Sequence, residues 1–168
     1  MALNGSVQVT KGIFDRLKRD GVEDAIKAKY WSNQITDPAK LRAVWKYRAK
    51  PGVQMPYAVY TVPTDTMLMQ STGTTANTSF QYRQALVQFL CYAASDDRSD
   101  ETWAIGIAEF IDNAMNNGKL CFADKTRFIT LIRQADIETS NPDDDAIVIG
   151  ISYLIEYELE VDLAKQLA

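Results

Sequence analysis

Histidine is absent from all 168 residues. That removes the usual general base, the commonest metal ligand and the pH switch nearest neutrality together. Cysteine is scarce: Cys91 and Cys121 are the only two, too few for a disulfide framework. Both are expected to be reduced, buried thiols of a cytosolic protein. The glycines spell neither GxxxxGK[ST] nor GxGxxG, so no phosphate loop is encoded. No basic stretch followed by an apolar run opens the chain, and no apolar run nears the roughly 20 residues of a membrane helix. A soluble, intracellular protein is expected. Positive charge is also short, with 18 Lys and Arg against 22 Asp and Glu for a net charge of −4. That disfavours a DNA or membrane-surface binder held by bulk electrostatics.

What is present is ordinary in bulk and informative in pattern. A chain that is 46% hydrophobic and 24% charged can bury one core, so residues 1–168 are expected to form a single domain. From Ile147 to Val161 the odd positions are all apolar or aromatic: Ile147, Ile149, Ile151, Tyr153, Ile155, Tyr157, Leu159 and Val161. The even positions are mostly small or charged and end in Glu156, Glu158 and Glu160. Alternation of this length predicts a strand with one face against a core. The remaining chain must supply its partners and its cover.

Taken in order, residues 1–9 predict a loose N-terminus. Thr10 reads as an N-cap for a helix carrying Ile13, Phe14 and Leu17. A second helical piece with Val22, Ala25 and Ile26 follows Gly21, which either weakens one long helix or separates two. Ser32 to Lys40 is turn-like. Val44–Ala49 and Tyr57–Val62 predict strands, the second opened by Pro56, a position a strand tolerates. Pro63 to Ser79 is rich in Thr and Ser around Met67, Leu68 and Met69. It reads as a long flexible loop, either a solvated hairpin or an arm whose apolar tip docks on a partner. Phe80–Ala93 predicts a strand with Ala85, Val87, Phe89 and Cys91 on the core row. Its other row mixes Gln84 and Gln88 with Leu86 and Leu90. Ser99 reads as the cap of a helix running through Trp103, Ile107, Ile111 and Met115 to Asn116-Asn117-Gly118. Lys125–Ile137 predicts a strand joined through Asn141-Pro142-Asp143 to the long one as a hairpin. A tail at 162–168 is expected to fray. The fold class is therefore α+β, a single mainly antiparallel sheet of four to five strands with two main helices on one face.

Candidate chemistry is thin. Asn141 to Asp145 is acidic but lacks the ligand spacing of a calcium loop, so a solvated turn is expected. Glu156, Glu158 and Glu160 share a face without a converging partner group, which predicts a charged outer row opposite Lys or Arg. Cys91 sits on the core row with no base beside it. Trp45, Tyr47, Tyr57 and Tyr60 could stack single-stranded bases, but an acidic chain favours packing for them. No enzyme, cofactor or metal is expected. Leu86, Leu90 and Leu154 fall on rows facing away from the helices, and exposed apolar rows predict self-association.

The element order, with MPYAVYTV at Met55–Val62, YRQALVQFLCYA at Tyr82–Ala93 and IAEFIDNAM at Ile107–Met115, resembles the tail terminator, or tail completion, proteins of long-tailed bacteriophages. The similarity spans residues 10–161. It implies a virion structural protein without catalytic residues. Such a protein forms a ring, generally a hexamer, at the head-proximal end of the tail and is assembled in the host cytoplasm. It stops tube polymerisation and offers the surface that joins tail to head. The implied partners are further copies of the chain, the tail-tube protein and the head–tail connector, with no membrane and with DNA only as cargo through the lumen. Met67, Leu68, Met69, Leu86, Leu90 and Leu154 are the interface candidates. Another neck or tail-tube protein would share these features, and a small-ligand module or enzyme is the outlying alternative.

Overall fold

The computed structural model describes residues 3–31, 42–72, 78–94, 101–116, 119–122, 126–134, 137–140 and 146–162. The alternating stretch forms one strand, Ala146–Asp162, labelled β6 in chain order. Ile149, Ile151, Tyr153, Ile155 and Tyr157 are buried on one side of it, while Leu154, Glu156, Glu158 and Glu160 remain half-exposed on the other. The period-2 pattern therefore states its facing correctly.

β6 pairs antiparallel along its whole length with β3, Thr78–Ala94, from Thr78 opposite Asp162 to Ala94 opposite Ala146. On the other side of β3 lies β2, Tyr57–Thr72, which takes the short strand β1, Val44–Lys46, in parallel beside Ala58–Tyr60. Beyond β6 lie β4, Thr126–Arg133, and β5, Ile137–Ser140, both antiparallel to it. The order is β1-β2-β3-β6-β4, with β5 also on β6. Helices α1, Leu3–Arg19, α2, Val22–Tyr30, and α3, Glu101–Asn116, complete the described elements. This is the expected α+β single sheet, antiparallel but for β1.

α1 lies against β2, α3 lies against β3 and β6, and the three helices touch one another. Val9, Ile13 and Leu17 from α1, with Ile107, Ile111 and Met115 from α3, meet Ala85, Val87 and Phe89 of β3 in one core. Arg16 is buried in α1, and its Nε donates to Ala114 O at 2.7 Å. A cation thus meets a carbonyl in the last turn of α3, where the helix dipole favours it. Gly21, at φ 65, separates α1 from α2, a left-handed conformation glycine adopts without steric cost.

Five expectations need correction. Residues 3–9 are helical, because Val9 continues the Ile13–Leu17 stripe into the core. Thr10 is accordingly buried inside α1 and is not its cap. Pro63 to Thr72 is strand and not loop, with Thr78 and Ser79 in its antiparallel partner. Pro63 is accommodated because it falls in a register shift between Thr61 and Thr64, where no ladder donor is required. The Lys125–Ile137 strand divides into β4 and β5. β4 ends with Arg133 opposite Tyr153, and β5 begins with Ile137 opposite Gly150. Cys91 is buried, which pushes its thiol up, but Cys121 is exposed. Residues 32–41, Ser99, the Asn141–Asp145 turn and the tail from 163 lie outside the described residues.

Candidate interaction surface

Titratable groups gather first on the inner face, where the β3 row turns polar at Arg83, Gln81 and Ser79. Arg83 Nε lies 3.0 Å from Asp65 Oδ1 on β2, with the two side chains 9% and 8% exposed. Arg83 Nη1 donates to Gln81 Oε1 at 2.9 Å, and Nη2 donates to Asp65 O at 3.3 Å. The Tyr157 hydroxyl donates to both Asp65 carboxylate oxygens at 2.7 Å. Burial pushes the Tyr157 hydroxyl up, and its bond to Asp65 adds to that. Every charge here has an internal partner, so the cluster locks β2, β3 and β6 together and offers no group poised for chemistry. A second lock joins α3 to the sheet, with Tyr153 Oη on Asp112 Oδ1 at 2.5 Å and Arg133 Nε at 3.2 Å from the same oxygen. Among the described residues no group of three or more His, Cys, Asp or Glu is placed to hold a metal ion, and no helix is long and apolar enough to cross a membrane.

The outer face is where unsatisfied surface remains. Residues paired across strands share a face, so the register reads as rows. Leu86 opposes Leu154, and Leu154 opposes Ile132 on β4. Leu86 and Leu154 are half-exposed and Ile132 is 46% exposed. Two rows toward the hairpin end, Tyr82 opposes Glu158, which faces Arg127 at 3.4 Å. Tyr82 Oη donates to Glu156 Oε2 at 2.5 Å, and this bond chiefly pushes the tyrosine up. The expected pairing of the glutamate row with a cation thus holds at Glu158, whereas Glu156 is met by Tyr82 and Gln84.

At the opposite end of this face the chain between β1 and β2 folds back over the sheet. Tyr47 terminates β1 at φ 66, an uncommon backbone for a non-glycine residue. Its N–H donates to Tyr60 O at 2.9 Å. The reversal carries Arg48 to Met55 across the outer rows of β2 and β3. It encloses a cleft of about 530 Å³ floored by Val59 and Leu90 and walled by Tyr47, Tyr57 and Tyr92. Tyr57 and Tyr92 stack with centroids 4.9 Å apart. Burial and then the neighbouring Tyr92 push the Tyr57 hydroxyl up. Arg48 and Lys50 line the same cleft and are exposed. Trp45 and Val59, partners in the β1–β2 register, are buried outside the main core cluster.

The six interface candidates are therefore divided by the structure. Leu86 and Leu154 sit at the middle of the outer face, and Leu90 floors the cleft. Met67, Leu68 and Met69 are 45%, 50% and 64% exposed within β2, not at the tip of a loop. Of the aromatic residues, Tyr60 is core, Trp45 is buried, Tyr57 is stacked on Tyr92 and Tyr47 is exposed. Sequence reading missed the cleft. Its available signal was Arg48 and Lys50 beside Pro51-Gly52, a turn with two cations ahead of an outer-row tyrosine.

No protein-family model matches the sequence. No curated protein matches it. Among solved structures, the chain is similar to one in the "Virion of native gene transfer agent (GTA) particle", with a TM-score of 0.60 and 11% identity. That likeness covers 93% of this chain and 98% of the other. At such identity it is a likeness of fold, and it runs the length of both chains.

Proposed function

We propose that this chain is a structural protein of a phage-like particle and acts as its tail terminator, a non-enzymatic ring subunit. The ring sits on the head-proximal end of the tail tube, ends tube growth and presents the surface for head joining. The observation that carries the reading is the end-to-end fold likeness to a chain of a gene transfer agent virion. The side-chain inventory supports it: the buried ionic groups have internal partners, while apolar residues remain on an outer sheet face. Closing into a ring buries such surface at every contact and avoids open-ended growth. Copies of the chain, probed as a hexamer, together with the tail-tube protein and the connector, are the partners of this reading, and DNA passes through the lumen as cargo.

Deleting the gene from its particle and measuring tails by electron microscopy tests the assignment. Overlong tails of uneven length, without joined heads, are expected. Tails of normal length and uniform distribution refute termination. Purified protein that polymerises alone into long tubes would instead make it a tube protein.

A further inference from the structure

The β2–β3 hairpin carries unlike surfaces at its two ends. At one end, Met67 pairs with Arg83 on the helix side and Met69 pairs with Tyr82 on the outer side, with Leu68 in the register shift between them. The three side chains thus wrap the edge of β2, beyond the part that β1 covers at Ala58–Tyr60. Glu158 lies opposite Tyr82, and Glu160 lies one outer row further on. This end is an apolar knob on β2, with the acids across β3 on the same face of the sheet. The other end holds the tyrosine cleft with Arg48 and Lys50 on its wall. Tyr57 and Met69 have as partners on β3 Tyr92 and Tyr82, which are ten positions apart (92 − 82), about 33 Å at the rise of a strand.

We propose that the Met67–Leu68–Met69 knob of one copy of this chain seats in the Tyr47–Tyr57–Tyr92 cleft of a second copy. The inference rests on the ring reading above and names its contact. Methionine is unbranched and adapts to irregular hollows, and its thioether packs favourably on aromatic rings. The cleft supplies three such rings over the aliphatic floor of Leu90. Its volume lies within the range of concave binding sites. Charge adds direction, because the outer row at the knob end holds Glu156, Glu158 and Glu160 against Arg127 and so stays net acidic among the described residues, which suits the cations of the cleft, whereas cleft against cleft would oppose like charges. Knob and cleft are separate patches, so each copy engages one neighbour with each. Such a head-to-tail contact closes into a ring or continues as a filament, according to the rotation it imposes.

Two variants test this contact in the full-length chain. Leu68→Lys with Met69→Lys spoils the knob. Tyr47→Asn with Arg48→Glu and Lys50→Glu spoils the cleft, and asparagine tolerates the left-handed backbone at that site. Circular dichroism and urea unfolding verify that each variant is folded. Sedimentation velocity should show the wild type as a closed oligomer and each variant alone as a monomer. An equimolar mixture should form a dimer and nothing larger, because one intact knob and one intact cleft remain between the two. The dimer should bind at least about tenfold more tightly than either variant binds itself. Wild-type rings that persist in both variants overturn the contact and leave the ring reading standing. Mixed dimers, with wild-type protein growing into open filaments, uphold the contact and overturn the ring. Wild type that stays monomeric at every concentration overturns both, as does a mixture that stays monomeric overturn the contact.

Discussion

Replacing Arg83 by methionine removes a guanidinium that satisfies Asp65 and Gln81 and contacts the Tyr157 hydroxyl, while keeping much of its length. Asp65 is 8% exposed in this pair, so the carboxylate left behind has little water to turn to. Tyr157 still donates to it, but one hydrogen bond does not replace an ionic partner and a second donor. Breaking a buried pair from one side costs about 3–5 kcal/mol. A domain whose whole stability is about 5–15 kcal/mol would lose a large share of it. With a urea slope of about 2 kcal/mol/M, the midpoint should fall by about 1.5–2.5 M, read by tryptophan fluorescence at fixed protein concentration. The comparison is Arg127→Ala, which removes a pair whose arginine is 74% exposed and should cost at most about 1 kcal/mol. Adding Asp65→Leu to Arg83→Met should recover much of the loss, because the orphaned charge is gone. If Arg83→Met costs no more than Arg127→Ala, the cluster is not a dry lock and the argument fails.

Four further outcomes follow from other parts of the fold. Ile151→Ala or Ile155→Ala should cost about 2–5 kcal/mol, against about 0.5 kcal/mol or less for Glu158→Gln. Equal urea midpoints would reverse the facing of β6. Gly106→Ala should lower the melting temperature, because an added Cβ would meet the Tyr30 hydroxyl; Tyr30→Phe should restore part of the loss, and no shift for the single variant would contradict this packing. Burial pushes the Tyr60 hydroxyl up from 10.0 to about 12. The folded state therefore disfavours its ionisation, and this contribution is complete below pH 10 and fades as pH rises toward 12. Thermal melts across that window should fall less steeply for Tyr60→Phe than for wild type. Leu90→Asp should leave a folded chain that sediments as a monomer and particles with tails of uncontrolled length; a monomeric variant with normal tails would sink the terminator reading.

Much of the fold was legible because its signals are local. The Ile147–Val161 alternation stated which side of β6 faces the core, since a pleated strand sends successive side chains to opposite faces. Ala85, Val87, Phe89 and Cys91 declared the core row of β3 in the same way, and Ile107, Ile111 and Met115 declared the stripe of α3. Absent histidine and absent phosphate-loop glycines narrow the chemistry from the sequence alone. Tertiary structure decided what depends on partners distant in sequence. Pro63 and Asp65 argue against a strand although the threonines around them suit one, and the run is strand because β3 pairs with it and a bulge absorbs the proline, since β propensity largely reflects neighbours. Arg83 became interior because Asp65, 18 positions away, and Tyr157, 74 positions away, converge on it. The tyrosine cleft likewise joins positions 47, 57 and 92 through the fold-back at Tyr47. Periodicity records which way a side chain points along its own strand, but only the register between strands determines what it meets.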